Sequence, residues 1–582
     1  MSFWLQAALF LLLGHRTMAL LFPLPQTVTS GNTVIAIGNS LDVIFKVQGS
    51  IPEDLAAAAE RAVGYVTESE HYYLSPERGK EFLLDNDLPV LTALEIILQG
   101  SDYGTIASEV SKEAGERREA YKLDIPADGG NARLTATSSL GAFRGLATFE
   151  QLFYGVPPTD DGKAADLLSP GSQEVFGQRI RYKAFSPAAP YHIEDRPAFP
   201  WRGFMLDTSR HYFSKETILR TLDAMALVKL NVFHWHMTDS QSWPLSLPGF
   251  RDLAEKGAYS ARETYNEEDV GEITKYAAER GIDVVVEMDM PGHTASSHHA
   301  RPELVVGYAR EPWTRYAAQP PAGQLRYMED DVTQLMVDLL GKLKAHIPSA
   351  YFATGGDEIN ENVYKDDDRS QATLKRKGWT LKQALNAFMG STWQALQPKI
   401  PVVWQEMVQE HRVDSLPDNA VVLIWKSSKD VSKIAKLGHP IVHVGFDHMY
   451  LDLGGGGNII PPLGKKEPSW HAHPFNTWYH IYSFDPYKGV KANQRHLVLG
   501  GQTVLWSETT DETNVDSKIW PRAAAIAEIY WSGGGDNGFP LDPSKALARF
   551  QDLRYRLVAK GVSATPLQPH WCAIRPGSCE FI

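Results

Sequence analysis

Gly203-Phe204-Met205-Leu206-Asp207 and Asn231-Val232-Phe233-His234-Trp235 are short apolar runs, and between them Ile218, Leu222, Met225 and Ala226 recur on one face at helical spacing. Strand, helix, strand is the parallel βα unit. The pattern continues through Asp283–Met288, Tyr351–Thr354, Pro401–Trp404, Val421–Trp425, Ile441–Val444 and Leu497–Val504, which makes eight strand candidates. Eight such strands, separated by helical segments and long loops, predict a (β/α)8 barrel. In that architecture reactive side chains stand at the C-terminal ends of the strands. Here Arg210 and His211 follow the first strand, Asp239 the second, Asp289 and His293 the third, and Asp357 and Glu358 the fourth. Trp404 ends the fifth and Trp425 the sixth, Tyr450 and Asp452 follow the seventh, and Trp506 and Glu508 the eighth. Polar and aromatic residues at every strand end describe one assembled site rather than scattered surface.

A chain of 582 residues exceeds what one core usually organises. Upstream of the barrel, residues 20–190 mix strand-like runs (Leu94–Gln99, Ala132–Thr137) with a helical one (Ala142–Phe153), which predicts a smaller α+β domain. The prolines of Ser186-Pro187-Ala188-Ala189-Pro190 and Arg196-Pro197-Ala198-Phe199-Pro200 predict a linker, leaving 200–582 for the barrel and its tail. Residues 1–19 read as a signal peptide without a Lys or Arg before its apolar run, too short to span a bilayer. A secreted, soluble product is expected. Cys572 and Cys579 are the only cysteines and suit a local disulfide in an oxidising compartment, and no Asn-x-Ser/Thr sequon occurs. A net charge of −13 with no basic run argues against a nucleic-acid partner. Fifteen tryptophans suit either core packing or stacking on sugar rings.

Gly355-Gly356-Asp357-Glu358 carries the chemistry. Cleaving a glycosidic bond requires a proton donor and a group that stabilises positive charge at the anomeric carbon. Adjacent carboxyls push their proton affinities apart, so one can stay protonated near neutrality, and the glycines are expected to let a sugar approach the backbone.

These residues resemble those of the family 20 glycoside hydrolases, the β-N-acetylhexosaminidases, and among them the secreted fungal enzymes. The likeness is carried by Leu206–Tyr212, His234–Pro244, Glu287–His293, Gly355–Glu358, Trp404–Glu406, Tyr450–Asp452, Leu505–Glu508 and Trp520–Ala525, with Leu140–Phe149 upstream. It implies an exo-acting, retaining, substrate-assisted enzyme without metal or cofactor, acting on glycans and chitooligosaccharides that end in N-acetylglucosamine or N-acetylgalactosamine. Glu358 would donate the proton and later activate water. Asp357 would orient the acetamido group as its oxygen attacks the anomeric carbon, and Tyr450 would hydrogen-bond that oxygen. Arg210, Asp452 and Glu508 would grip hydroxyls, Trp404, Trp425 and Trp506 would wall the sugar, and Asp239 and His293 would support the acid. The resemblance also suggests a homodimer. Met449 stands where many animal members have Trp, which implies a change on the aglycone side, and little chain separates the leader from Leu21-Phe22-Pro23-Leu24-Pro25, where fungal relatives often carry a pro-segment.

Two other readings stay open. His234-Trp235-His236 sets two imidazoles on one face of a strand, as metal ligands would be, and His298-His299 and His471-Ala472-His473 extend the case for a metal-dependent hydrolase. A glycan-binding barrel without turnover is the other, although it would have no need to keep Glu358.

Overall fold

The computed structural model describes residues 20–84, 87–157, 182–456, 459 and 473–579, with the backbone of 173–175 and 178–180. The signal-peptide expectation and residues His471 and Ala472 lie outside them.

The first unit is a six-stranded mixed sheet. Its strands are β1 (Thr27–Lys46), β2 (Val90–Leu98), β3 (Tyr121–Ile125), β4 (Gly130–Ala136), β5 (Tyr154–Gly155) and β6 (Ala184–Asp195), in the order β1-β2-β4-β3-β6-β5, and β1 also pairs with β6. Helices α1 (Glu53–Glu68) and α2 (Ser139–Gln151) pack together, and α2 lies on β3 and β4. Ser138 caps α2 by accepting from Gly141 N at 2.9 Å. A Cβ at Gly141 would stand 2.4 Å from the Ala120 carbonyl oxygen and one at Gly145 2.2 Å from Leu134, so these glycines set how closely the helix seats.

The linker expectation is half wrong. Residues 186–190 belong to β6, which pairs with β3 on one side and β1 on the other. Pro187 and Pro190 fall where the β1–β6 register shifts, opposite the stretch Ser30 to Ile35, and there a residue without an N–H takes no bond from the ladder. Only the segment after Asp195 connects sheet to barrel.

The barrel closes as expected from β7 (Trp201–Asp207), β8 (Val232–Thr238), β9 (Asp283–Met288), β10 (Tyr351–Gly355), β11 (Ile400–Trp404), β12 (Val421–Ile424), β13 (Ile441–His443) and β14 (Val498–Leu505), all parallel, with β14 pairing back to β7. Boundaries differ from the sequence reading by a few residues; β8 runs on to Thr238 instead of stopping at Trp235. In α3 (Lys215–Leu227) the residues Ile218, Leu222, Met225 and Ala226 are buried, as their spacing requires.

At the N-terminal end of the barrel, buried ion pairs tie the two units together. Arg144 of α2 reaches Glu119 at 2.8 Å and donates to the Gly281 carbonyl at 2.6 Å, and Arg202 of β7 shares the same Glu119 at 2.5 Å. Arg117 pairs with Asp283 at 2.5 Å and Lys229 with Asp195 at 2.9 Å, all nearly inaccessible to water. Charges this deep are tolerated only when paired. Cys572 and Cys579 are bonded to each other, with Cα atoms 5.7 Å apart.

Candidate active site

At the opposite end the strand termini surround a cavity of 490 Å³, and every residue expected to catalyse or to grip and wall the sugar lines it, as does His293. Asp239 lies just beneath.

The acid pair is set by a strained turn. Gly355 and Gly356 have φ of 61° and 93°, and Glu358 itself is left-handed at 50°. A non-glycine residue held there costs on the order of 1 kcal/mol and persists only where surroundings fix it. A Cβ on Gly355 would stand 2.0 Å from Asp289 Oδ1, and one on Gly356 2.2 Å from Met407, so the glycines make room for Asp289 and Met407 rather than for a sugar. Asp289 Oδ1 in turn accepts from Gly356 N at 2.8 Å.

The two acids then enter different environments. Asp357 is 7 % exposed. Burial drives its carboxyl far above the usual range, and the hydrogen-bonded Asp289, itself raised by burial, adds to the shift. The Glu358 side chain is 30 % exposed, and its Oε2 lies 3.3 Å from His293 Nε2. His293 Nδ1 lies 3.0 Å from Asp239 Oδ1, and Asp239 Oδ2 meets Arg210 at 2.9 Å. Burial opposes ionisation of Asp239, but Arg210 and His293 overcome it and hold the carboxyl well below its usual range.

Arg210 also pairs with Asp207 at 3.2 Å and lies over the Trp506 ring at 4.9 Å. Asp452 is pushed up to about 8 by burial and then by Glu508. Glu508 accepts from Gln319 Nε2 at 2.8 Å. Gln319 arrives on a loop pinned where Pro320 O accepts from Gln241 Nε2 at 2.9 Å, while Gln241 Oε1 accepts from Arg210 Nε at 3.0 Å. Trp404 donates to Glu287 at 2.9 Å and Trp425 to Glu406 at 2.9 Å. Tyr450 is seated beside β14, where Leu451 N donates to Val504 O at 2.9 Å, and Arg522 donates to Leu451 O at 2.6 Å. Met449, expected to alter the aglycone side, is wholly buried in the core and does not reach the cavity.

Sequence reasoning placed Asp289 at the end of the third strand without assigning it a task, and gave no site role to Glu287, Glu406, Gln319 or Arg522. All but Gln319 lie inside the quoted motifs, so the signal was present without the geometry; Gln319 sits in a loop whose composition is unremarkable. Among the described residues Asp289, His293 and Asp357 come nearest to a metal site, with donor atoms within 4.8 Å of one another. Of their atoms, Asp289 Oδ1 accepts from Gly356 N and His293 Nδ1 lies 3.0 Å from Asp239 Oδ1. His298 stacks on Tyr308 at 3.9 Å, away from the cavity, whereas His473 lines it.

Residues 199–534 match the model of the glycosyl hydrolase family 20 catalytic domain, and residues 21–152 that of a "beta-acetyl hexosaminidase like" domain. The chain belongs to glycosyl hydrolase family 20. This family 20 chain is 33 % identical to a beta-hexosaminidase of Arthroderma benhamiae over 82 % of its length and 77 % of that protein. It is 30 % identical to a chitooligosaccharidolytic beta-N-acetylglucosaminidase of Ostrinia furnacalis, over 96 % of its length and 89 % of that protein. The fold is shared with a family 20 exo beta-N-acetylglucosaminidase of Vibrio harveyi, solved in complex with N-acetylglucosamine, at a TM-score of 0.71 and 20 % identity over 94 % of this chain and 78 % of that one. A family 20 β-N-acetylhexosaminidase of Streptomyces coelicolor aligns at a TM-score of 0.66 and 23 % identity over 95 % of this chain and 98 % of that one.

Proposed function

We propose that this family 20 hydrolase is an exo-acting β-N-acetylhexosaminidase that removes terminal N-acetylglucosamine or N-acetylgalactosamine with retention, using the substrate's acetamido oxygen as nucleophile. The observation that carries the reading is the unequal setting of Asp357 and Glu358 in one cavity. Glu358 opens to the cavity beside His293, where it can give a proton to the leaving oxygen and later take one from water. Asp357 is buried against Asp289 and suited to hold the amide N–H while charge develops on the five-membered intermediate. Tyr450 holds the acetamido oxygen, Trp404, Trp425 and Trp506 enclose the methyl group and ring, and Arg210, Asp452 and Glu508 take the hydroxyls. Release outside the cell after removal of residues 1–19, action on chitooligosaccharides, and a homodimeric state complete the proposal. The apolar leader, the Cys572–Cys579 bond and the curated relatives support it. No helix of the described residues is long and apolar enough to cross a membrane.

The test is a substrate pair. An aryl N-acetylglucosaminide should be hydrolysed and the matching glucoside, with a plain hydroxyl at the second carbon, should be essentially inert, because a well-oriented neighbouring group is worth an effective molarity of about 10⁵ M or more. Comparable turnover of both, or a sugar trapped on an Asp or Glu side chain, would refute the mechanism.

A further inference from the structure

The two imidazoles of His234-Trp235-His236 have a definite setting one layer beneath the cavity. Both rings are wholly buried, and Glu287 of β9 stands beside them. His236 Nδ1 lies 2.6 Å from Glu287 Oε2, and its Nε2 lies 2.8 Å from Asp239 Oδ2. Each carboxylate already accepts elsewhere: Glu287 from Trp404 at 2.9 Å, Asp239 from Ser240 N at 2.5 Å and from Arg210 at 2.9 Å. An ionised carboxylate has no hydrogen to give, so both ring nitrogens of His236 must supply one. That makes His236 an imidazolium. His234 differs, because its Nδ1 takes the amide hydrogen of Gln502 at 2.8 Å and its Nε2 lies 3.0 Å from Glu287.

A continuous line therefore runs beneath the sugar position from Trp404 through Glu287, His236, Asp239 and His293 to Glu358. We propose that His236, fixed as an imidazolium between Glu287 and Asp239, is a positioning residue whose charge acts through Asp239 and His293 on the proton shared out between His293 and Glu358. Asp239 is divided among Arg210, His236 and His293. Removing the charge of His236 strengthens its hold on the His293 proton, and removing the charge of Glu287 does the opposite. The charged and titratable groups facing His236 are Glu287, Asp239 and His234, with Arg210, Asp207, His293, Asp289 and Asp357 beyond them and the Trp506 ring edge-on at 4.9 Å. The proposal rests on Glu358 being the acid of the reaction.

The test compares pH profiles of kcat/KM for wild type, His236→Gln, Glu287→Gln and the double variant. Loss of a buried positive charge raises proton affinities nearby and loss of a negative one lowers them. The alkaline limb should therefore move up by about one pH unit in His236→Gln and down by about one in Glu287→Gln, and return towards wild type in the double variant. Rate loss in both single variants with no movement of the limb, or movement in the same direction, overturns the proposal. If His236→Gln does not fold, the downward shift in Glu287→Gln is decided alone. Nitrogen-15 NMR of the His236 ring is independent of turnover: a doubly protonated ring persisting above pH 8 supports the proposal, and a neutral ring at pH 7 overturns it even if the acid assignment stands.

Discussion

The indole Nε1 of Trp425 donates to Glu406 Oε2 at 2.9 Å, so one wall of the cavity hangs on a carboxyl that burial and then Asp357 push up to about 7. Lys426 Nζ stands 3.1 Å from the other oxygen of the same group. Replacing Glu406 by Ala leaves the indole without its acceptor, and a hydrogen bond of about 1–2 kcal/mol corresponds to roughly a tenfold rise in KM. Glu406→Gln keeps an acceptor and should hold KM within about threefold, while erasing any step in KM near pH 7. Michaelis curves at pH 5 and pH 8 for both variants check this.

Folding stability should decline as pH rises from 4.5 to 9. Burial lifts Asp452 to about 8 and Glu406 to about 7, from ordinary values of 3.8 and 4.5. A carboxyl raised on folding binds more protons in the native state, so its stabilising contribution is complete below its unfolded value and is lost as pH passes through its folded one. Asp452→Asn should flatten the fall in Tm between pH 6 and 9. An unchanged slope would show that the carboxyl is not raised.

Glu358→Gln should lower kcat by about 10²- to 10⁴-fold, the cost of losing a general acid, most severely for poor leaving groups. Asp357→Asn should reduce kcat far more than it raises KM, since the work proposed for it is done on charge that appears only in the transition state. A purely KM effect of Asp357→Asn would reassign that residue to ground-state binding.

Arg144→Met breaks a buried ion pair at the far end of the barrel and should cost about 3–5 kcal/mol, seen as a lower urea midpoint. Arg202 keeps one partner on Glu119 at 2.5 Å. The folded fraction should retain wild-type kcat. Loss of kcat without loss of stability would mean that the interface acts on the cavity.

The barrel was legible because buried parallel strands are uninterrupted apolar runs, and the site because strand ends collect it. What the sequence hid was compensation at a distance. Pro187 and Pro190 look like linker residues until β1 shifts register opposite them. Gly355 and Gly356 look like openings for a ligand, yet their space is filled by Asp289 and Met407. His234 and His236 look like metal ligands because spacing shows which way two side chains point but not that Glu287, on another strand, engages both rings. Met449 stands next to Tyr450 in the chain, but Tyr450 bridges to Val504 and lines the cavity whereas Met449 is buried in the core around the barrel.

For anyone redesigning the enzyme, Gln319 marks where variation is cheapest to explore. Glu508 and Arg210 sit on the rigid barrel rim, but the amide that steadies Glu508 arrives on a loop held by Gln241. A library randomising residues 317–322 would change the surroundings of the Glu508 carboxylate, proposed to take a sugar hydroxyl, while leaving the Gly355–Glu358 turn and every barrel strand untouched. Saturation at this one loop is therefore the natural first round for selecting between gluco- and galacto-configured sugars.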